Sequence, residues 1–456
     1  MPLLVEQFAS KASLKQRRGR AGRVREGVCY KLVSKDNYAK LRDHTLPEIS
    51  RCALDQTLLS LLFLGVERGS GTFLRTLLDP PSREAVDAAL FSLSKIGALE
   101  RGIQNNEVSL TSLGMHLAGI PAPPIVGKIL VLGSILGCRR AALAMAAAIS
   151  VGRSPFLRID VPRHQKGRMK DADAISPEDV KKTKILEERD KLFKLCGNSD
   201  HAMLAGAFLQ WEALGIGGGE RKRFCESLGL SFTGVKDIAQ LANQLDSSLH
   251  AAGFGASDES DRNANSWRVL RTCAVAAMAP GQLVRVVRPS VKYVDTAEGA
   301  LEKDGEAREL KFFIRQEDAS TTKPPASNIP SKNPDERVFI HPSSANFSVG
   351  NYHCPFLVYN GLVRTSKPFL RDVTECSAYA LLMFGGSLEV QSRNELIVVD
   401  NWVRLAANAR IGALIRFLRE KMDDLLARKI EDPTINLANS TEMKLIVKLL
   451  VTDGLG

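Results

Sequence analysis

The sequence predicts a multidomain α+β chain in which helical segments come first, a β-rich segment follows and helices close the chain. The length of 456 residues is enough for about three domains. Apolar residues recur with the helical period along residues 48–97 and along most of 119–255. Between residues 283 and 373, short β-rich runs are separated by turn residues, a pattern typical of a small barrel.

The composition narrows the class of partner without choosing one. Hydrophobic residues make up 44% and charged residues 25% of the chain, so it can bury a sizeable core. The formal net charge of +11 favours a polyanionic partner, and RNA, DNA and an anionic membrane surface all satisfy it. Aromatic residues make up only 6%, unlike a single-strand binder that depends mainly on stacking.

Neither the cysteines nor the apolar runs indicate a disulfide framework, a zinc site or a membrane span. The eight cysteines are scattered without a CxxC pair, so we expect reduced thiols and no metal site. The most apolar stretch, residues 125–152, is interrupted by Lys128, Arg139 and Arg140 and predicts two buried helices. No apolar signal segment follows Met1.

The segment QRRGRAGR at residues 16–23 concentrates positive charge at a regular spacing. On a helix, Gln16, Arg20 and Arg23 fall at i, i+4 and i+7 and project from one face. Gly19 and Gly22 allow another backbone to approach closely. Arginines arranged in this way stabilise charge on a transferred phosphoryl group. The alternative is a basic, solvated helix, and the residues alone leave both open.

Family resemblance decides between these alternatives. QRRGRAGR resembles motif VI of superfamily 2 helicases, in the form found in DEAH-box (RHA-type) RNA helicases. Other blocks resemble the same family in the same order: GVCYKL, LPEISR, LDPPSREAVDAALFSLSKIGALE, LTSLGMHLAGIP, GKILVLGSILGC, HPSSANF and FLRDVT. The last hundred residues, including LLMFGGSLEVQSRNELIVVDNWVRL, look most like the branch that acts with the small ribosomal subunit in translation initiation.

The resemblance implies five consecutive parts. They are the C-terminal end of a second RecA-like domain at 1–47, a winged helix at 48–118, a helical ratchet domain at 119–255, an OB-like β-barrel at 256–400 and C-terminal helices at 401–456. The residues support each part. Residues 28–32 read as a strand. A helix from Ser82 to Gly97, followed by a hairpin closed around Asn105 and Asn106, is typical of a winged helix.

The helical region carries three features whose role, structural or functional, has to be decided. Gly127, Gly133 and Gly137, among many alanines, predict close helix–helix contacts. The charged segment 158–184 is either a loop that touches RNA or a solvated surface loop. His201 is interpreted as a capping or packing residue, because no acid–base role is required there.

The β-rich region predicts a barrel and the end of the chain predicts one long amphipathic helix. Barrel strands are expected at 283–287, 291–294, 310–314, 337–340, 356–359 and 370–373, with a flexible loop at 317–335. Residues 389–399 add a last β-like pair. The apolar stripe of residues 411–426 predicts a helix that docks on the chain's own barrel, or alternatively in a partner's groove.

Two motifs expected of a complete helicase do not occur in this sequence. It contains no GxxxxGK followed by Ser or Thr, and no DEAH-like acidic box. The resemblance places both in the first RecA-like domain. We therefore expect the C-terminal part of a helicase, in which ATP with Mg²⁺ is the cofactor of the complete enzyme. By itself this part should bind neither and should be inactive.

The candidate catalytic residues are Gln16, Arg20 and Arg23. The resemblance implies that the two arginines approach the γ-phosphate of ATP. It also implies that Gln16 helps to orient the attacking water or the phosphate.

Candidate RNA contacts lie in the barrel. His341, Ser343, Ser344 and Asn346 offer small donors after a strand, suited to sugar and phosphate contacts, or they simply satisfy the turn's own hydrogen bonds. The cationic residues that flank neighbouring strands are Arg364, Lys367 and Arg371. Phosphate contacts of this type would make binding fall with salt.

The expected partners are single-stranded or structured RNA, and also the small ribosomal subunit or an activator protein, without a membrane. In the complete enzyme the ratchet and barrel would form one wall of an RNA channel. A non-catalytic RNA- or ribosome-binding and partner-docking module is the alternative. A cytoplasmic location is expected, with nuclear or organellar location as alternatives.

Overall fold

The structure is a computed structural model in which two compact units are distinguished, residues 1–90 and 91–456. It describes residues 8–67, 71–101, 108–159, 177–215, 218–257, 259–288, 293–296, 299–302, 310–315, 335–365, 367–432 and 434–453. None of the helices within these ranges is both long enough and apolar enough to cross a membrane.

The first unit is built from short helices joined by extended backbone. Its helices are α1 (Lys11–Arg18), α2 (Lys35–Lys40), α3 (Asp55–Phe63) and the beginning of α4 (Arg83–Ile96). Ser10 caps α1, because its Oγ accepts a hydrogen bond from the Ser13 N–H at 3.2 Å. The Lys11 Nζ lies 3.0 Å from Asp43 Oδ1 and ties α1 to the segment that follows α2.

The strand expected at residues 28–32 is not present. These residues form no regular structure, and the side chains of Val28, Tyr30 and Leu32 are exposed. A β-strand needs a hydrogen-bonded neighbour, and the described residues of the first unit contain no other strand. The prediction of a strand at these residues was therefore wrong, because no strand among the described residues of this unit pairs with them.

The second unit begins with a hairpin and a helical layer. The hairpin pairs β1 (Leu99–Arg101) with β2 (Val108–Leu110) in antiparallel register, which confirms the predicted hairpin, while Asn105 and Asn106 lie outside the described residues. The helices that follow are α5 (Ser112–Ala118), α6 (Pro124–Ile135), α7 (Arg139–Val151), α8 (Pro177–Leu195), α9 (Asp200–Ala213), α10 (Gly218–Leu228), α11 (Phe232–Ala251) and α12 (Trp267–Met278).

Helix α7 is the centre of this layer. It packs against α6, α9 and α11, and its alanines are almost all buried. A Cβ atom built on Gly133 of α6 would overlap the Cβ of Ala142, so glycine is needed for this close approach. The predicted pair of buried helices and the predicted close contact at Gly133 are both confirmed.

A closed five-stranded barrel follows the helices. Its strands are β3 (Leu283–Val287), β6 (Lys311–Ile314), β7 (Glu336–Ile340), β8 (Phe356–Arg364) and β9 (Pro368–Glu375), closed in the order β3-β6-β7-β9-β8. A separate two-stranded sheet pairs β4 (Tyr293–Thr296) with β5 (Gly299–Glu302), so the prediction of a barrel strand at 291–294 was wrong. Strands β7 and β9 run parallel, and the other barrel neighbours are antiparallel. The interior is apolar, with Val284, Val338, Leu357 and Leu370 almost completely buried.

The C-terminal part adds a small sheet and two helices. The elements are α13 (Ala378–Phe384), β10 (Leu388–Gln391), β11 (Leu396–Val399), β12 (Val403–Ala406), α14 (Ala409–Glu431) and α15 (Thr441–Thr452). The predicted helix at 411–426 docks within the chain, as expected, but its place differs. Its principal neighbours are α5, α13, α15 and the β10–β11 edge of the small sheet, rather than the strands of the closed barrel.

Candidate nucleic-acid interface

The basic motif does not form one helical face. Helix α1 ends at Arg18, and Gly19 caps it through its N–H bonds to the carbonyls of Lys15 and Arg17. Gly22 has φ of 91°, in the left-handed region that glycine adopts without strain. Arg20 and Arg23 therefore lie beyond the helix, and the expectation that both share a helical face with Gln16 was wrong. Gly19 thus ends the helix, and Gly22 supplies a left-handed residue beyond it.

The same segment is open to solvent. Gln16, Arg20 and Arg23 are all exposed. Within the part of the chain that the structure describes, no carboxylate forms an ion pair with Arg20 or Arg23. Both guanidinium groups are therefore available to an external anion.

The loop after β7 is divided between exposed and internal side chains. Ser343 is exposed, and its N–H donates to His341 Nδ1 at 3.1 Å. Partial burial, followed by the positive charges of Arg371 and Arg158, lowers the pKa of His341. His341 is therefore largely neutral at neutral pH and can offer its ring as a hydrogen-bonding group rather than as a cation.

Ser344 and Asn346 serve the protein's own interior. Ser344 Oγ donates to Asp200 Oδ2 at 2.5 Å, and the Ala345 N–H donates to Asp200 Oδ1 at 3.0 Å. Asn346 is 1% exposed, and its Nδ2 donates to the Val373 carbonyl at 3.0 Å. These contacts support the alternative in which the two side chains hold the turn rather than meet RNA.

Asp200 joins the helical layer to the barrel. It lies in the first turn of α9, and its carboxylate accepts hydrogen bonds from Ser344, Ala345 and the Val373 N–H, the last at 2.8 Å. Burial of the carboxyl group raises the pKa of Asp200 to about 6, although these hydrogen bonds oppose the rise. One carboxylate thus fixes the loop after β7 and strand β9 to the helical layer.

Further polar contacts between the start of α9 and strand β9 lie beside Asp200. Asn198 Nδ2 donates to Glu375 Oε2 at 2.8 Å, and the Glu375 N–H donates to the Asn198 carbonyl at 3.1 Å. His201 is buried with its Nδ1 2.8 Å from Thr374 Oγ1, which confirms its predicted packing role. We call Asn198–His201 together with Val373–Glu375 the α9–β9 joint.

The three predicted cations of the barrel differ in their availability. Arg364 forms a bidentate pair with Glu336, at 2.5 and 2.7 Å. Lys367 extends over the ring of Phe339, with its Nζ 4.8 Å from the centroid. Arg371 is exposed near His341. Lys367 and Arg371 are therefore the two that face solvent without a described carboxylate partner.

Sequence reasoning missed Asp200 and could not place the charged loop. The signal for Asp200 was local, since an acid that follows a capping serine at a helix start is typical of a structured terminus. Most of the charged segment, residues 160–176, lies outside the described residues. Among those described, no group of three His, Cys, Asp or Glu residues is arranged to hold a metal ion.

Models of three known domains match the chain in the order of the elements described above. Residues 123–204 match the ratchet-like helicase associated domain (HA2). Residues 305–388 match the oligonucleotide/oligosaccharide-binding (OB) fold, and residues 395–452 match the C-terminal domain in RNA helicases. These matches confirm the predicted ratchet, barrel and C-terminal regions.

Comparison with individual proteins gives the same assignment. The chain is 33% identical to a Mycosarcoma maydis protein named as a DEAH-box ATP-dependent helicase, over 94% of this chain and 27% of the relative. It is 30% identical to the ATP-dependent RNA helicase DHX29 of Mus musculus, over 99% of this chain and 30% of that protein. It is 32% identical to the human ATP-dependent DNA/RNA helicase DHX36, over 94% of this chain and 37% of that protein.

The chain thus spans between 27% and 37% of the length of these relatives, and the matched domains are those of their C-terminal region. The chain belongs to the DEAH-box helicase family and corresponds to the C-terminal part of its members.

Proposed function

We propose that this chain supplies the arginine fingers and one wall of the RNA channel in an ATP-dependent RNA helicase. The observation that carries the proposal is the exposure of Arg20 and Arg23 without an ion-pair partner among the described residues. In the complete enzyme both groups would approach the γ-phosphate of ATP and stabilise the charge that develops during its transfer. Gln16 would help to orient the attacking water or the phosphate.

The second part of the proposal concerns RNA. His341, Ser343, Lys367 and Arg371 would contact the sugar–phosphate backbone, while Ser344 and Asn346 hold the loop in place. The α9–β9 joint supports this division, because it fixes the loop and β9 against the ratchet helices. In this proposal the ratchet and the barrel therefore form one continuous wall.

Two finer assignments complete the proposal. Residues 1–47 would finish a RecA-like domain, and residues 48–118 would form a winged helix that connects the motor to the rest. The block at residues 381–405 motivates an association with the small ribosomal subunit in translation initiation, or with an activator protein.

The RNA part is tested on this chain alone. Binding of a fluorescent single-stranded RNA should weaken as salt rises, and Arg371→Ala should reduce the salt slope by about 0.7. Arg416→Ala, an exposed arginine on α14, is the matched control and should leave the slope unchanged. Absence of RNA binding, together with capture of a protein partner, would instead favour the partner-docking module.

The finger assignment is tested in a protein that also contains the ATP-binding motifs. Arg20→Ala should lower RNA-stimulated ATP hydrolysis by about 10³–10⁵-fold, because the transition-state charge loses its partner. RNA affinity should change little. Arg18→Ala, at the end of α1, is the control and should retain most of the turnover. Unchanged turnover in Arg20→Ala would refute the assignment.

A further inference from the structure

The outer face of the barrel carries two parallel rows of cationic and aromatic side chains. On β7 and the residue after it, Arg337, Phe339 and His341 alternate with buried Val338 and Ile340. Successive side chains of a strand point to opposite faces, so the first three share the outer face.

Strand β9 and the residue before it repeat the pattern. Lys367, Phe369 and Arg371 alternate with Pro368 and the buried Leu370. The parallel register places Phe369 beside Phe339. By the same register Lys367 lies level with Arg337, and Arg371 lies level with His341. We call these six outward residues the β7–β9 strip.

The two rings lie at the centre of the strip and are in contact with its polar members. The centroids of Phe339 and Phe369 are 6.2 Å apart, with their planes at 50°. The guanidinium of Arg337 lies 5.3 Å from the Phe339 centroid, on the ring that Lys367 also covers. His341 meets Phe369 edge-on at 5.8 Å. Both rings are half-buried, so each retains an accessible portion.

The charges of the strip are arranged around the rings rather than paired with acids. Among the described residues, no carboxylate forms an ion pair with Arg337, Lys367 or Arg371. Lys367, the residue before β9, and Arg371 on β9 are four residues apart, about 13 Å in extended backbone, and bracket Phe369. Long cationic side chains that cover an aromatic ring at the surface gain only about 0.5–1 kcal/mol from it. A flat ligand can therefore displace them.

We infer that the β7–β9 strip is a stacking platform for the unpaired bases of single-stranded RNA. Phe339 and Phe369 contact base faces, and Arg337, Lys367 and Arg371 contact the flanking phosphates. Every base has a π-face, so the platform binds without strong sequence preference. This inference rests on the proposed RNA-binding function and adds to it a specific demand for exposed bases. The low aromatic content of the whole chain does not oppose it, since the rings are concentrated where the charges are.

A duplex or an acidic peptide fits the strip less well. A duplex hides its base faces, so the phenylalanines would have no ligand group to meet. An acidic peptide satisfies the cations but has no need of the rings. The rings therefore distinguish single-stranded nucleic acid from other polyanions.

The test compares two probes and three variants of the full chain. The probes are a short fluorescent oligouridylate and an abasic oligomer of equal length and charge. Phe339→Leu/Phe369→Leu removes the π-faces but keeps apolar side chains. Phe417→Leu is the matched control, because Phe417 is an exposed phenylalanine on α14 with Lys421 over its ring at 5.6 Å. Thermal unfolding of each variant checks that the fold is kept.

Wild type should prefer the oligouridylate over the abasic probe by about 10-fold, the value of one stacked base. The double leucine variant should lose that preference and bind the abasic probe as wild type does, while Phe417→Leu keeps the preference. Arg337→Ala/Lys367→Ala should weaken both probes and reduce the salt slope by about 1.4.

Three outcomes would contradict the inference. Equal affinity of wild type for the two probes would overturn stacking while leaving the proposed RNA binding intact. An acidic peptide that competes as well as the oligouridylate would identify a general anion surface. No binding of either probe would overturn the inference and the proposed function together.

Discussion

The segment around Arg20 and the loop around Ser344 both resemble helicase motifs, but the protein uses their polar groups differently. In the first, Gln16, Arg20 and Arg23 are exposed, and no described carboxylate pairs with the arginines. In the second, Asp200 binds Ser344. A motif therefore states which chemical groups are present, while packing decides which of them remain available to a ligand.

The largest change in the free energy of unfolding is expected from removing the carboxylate of Asp200, which binds the loop in this comparison. Asp200→Ala should lower the free energy of unfolding by about 3 kcal/mol, because the donors on Ser344, Ala345 and Val373 lose a charged acceptor. Urea unfolding measures the change. Asp190→Ala removes an acid from an exposed pair with Lys194 and should cost about 0.5 kcal/mol or less. Equal costs for the two variants would deny Asp200 its joining role.

A second, smaller loss is expected within the loop itself. Asn346→Ala should cost about 2 kcal/mol, since it leaves the buried Val373 carbonyl without its donor. Ser343→Ala, three residues earlier and exposed, should leave stability nearly unchanged and should weaken RNA binding instead. The reverse pattern would exchange the structural and binding roles assigned to these two residues.

The raised pKa of Asp200 predicts a pH dependence. A carboxyl group whose folded pKa is above its unfolded value binds more protons in the folded state between those two values. Its contribution to stability is thus present at low pH and lost as pH rises from 3.8 through about 6. Wild type should show this loss relative to Asp200→Asn in urea titrations. Parallel pH profiles would contradict the burial of this carboxyl group.

The smallest effect is expected in the basic segment. Arg20→Ala and Arg23→Ala should change the free energy of unfolding by no more than about 0.5 kcal/mol, because both side chains are exposed. Thermal unfolding of this chain measures it. A loss of stability comparable to that of Asp200→Ala would show that the arginines have an internal partner. The two regions would then not differ in the way described.

The periodicity of apolar residues was sufficient to predict the elements whose side chains face one continuous core. The alanines predicted helix α7, and the alternation of apolar and polar residues predicted strands β7 and β9, all near their observed bounds. Each pattern reflects burial along a single element. The barrel and the C-terminal helices were also placed in the right order by resemblance.

Contacts distant in sequence could not be predicted in this way. Asp200 and Ser344 are 144 residues apart, and nothing in either segment indicates the other. The end of α1 at Arg18 was missed because the motif's spacing fits a helix, although its glycines disfavour one. The docking place of α14 depends on the small sheet at β10–β12, of which only two strands were expected.

The α9–β9 joint has a mechanical consequence. Several hydrogen bonds cross this boundary in the interior, so a hinge here would have to break them together. A displacement of the barrel is therefore expected to displace the α9 end of the helical layer with it. The joint therefore predicts that the barrel and this end of the helical layer move together rather than about a hinge between them.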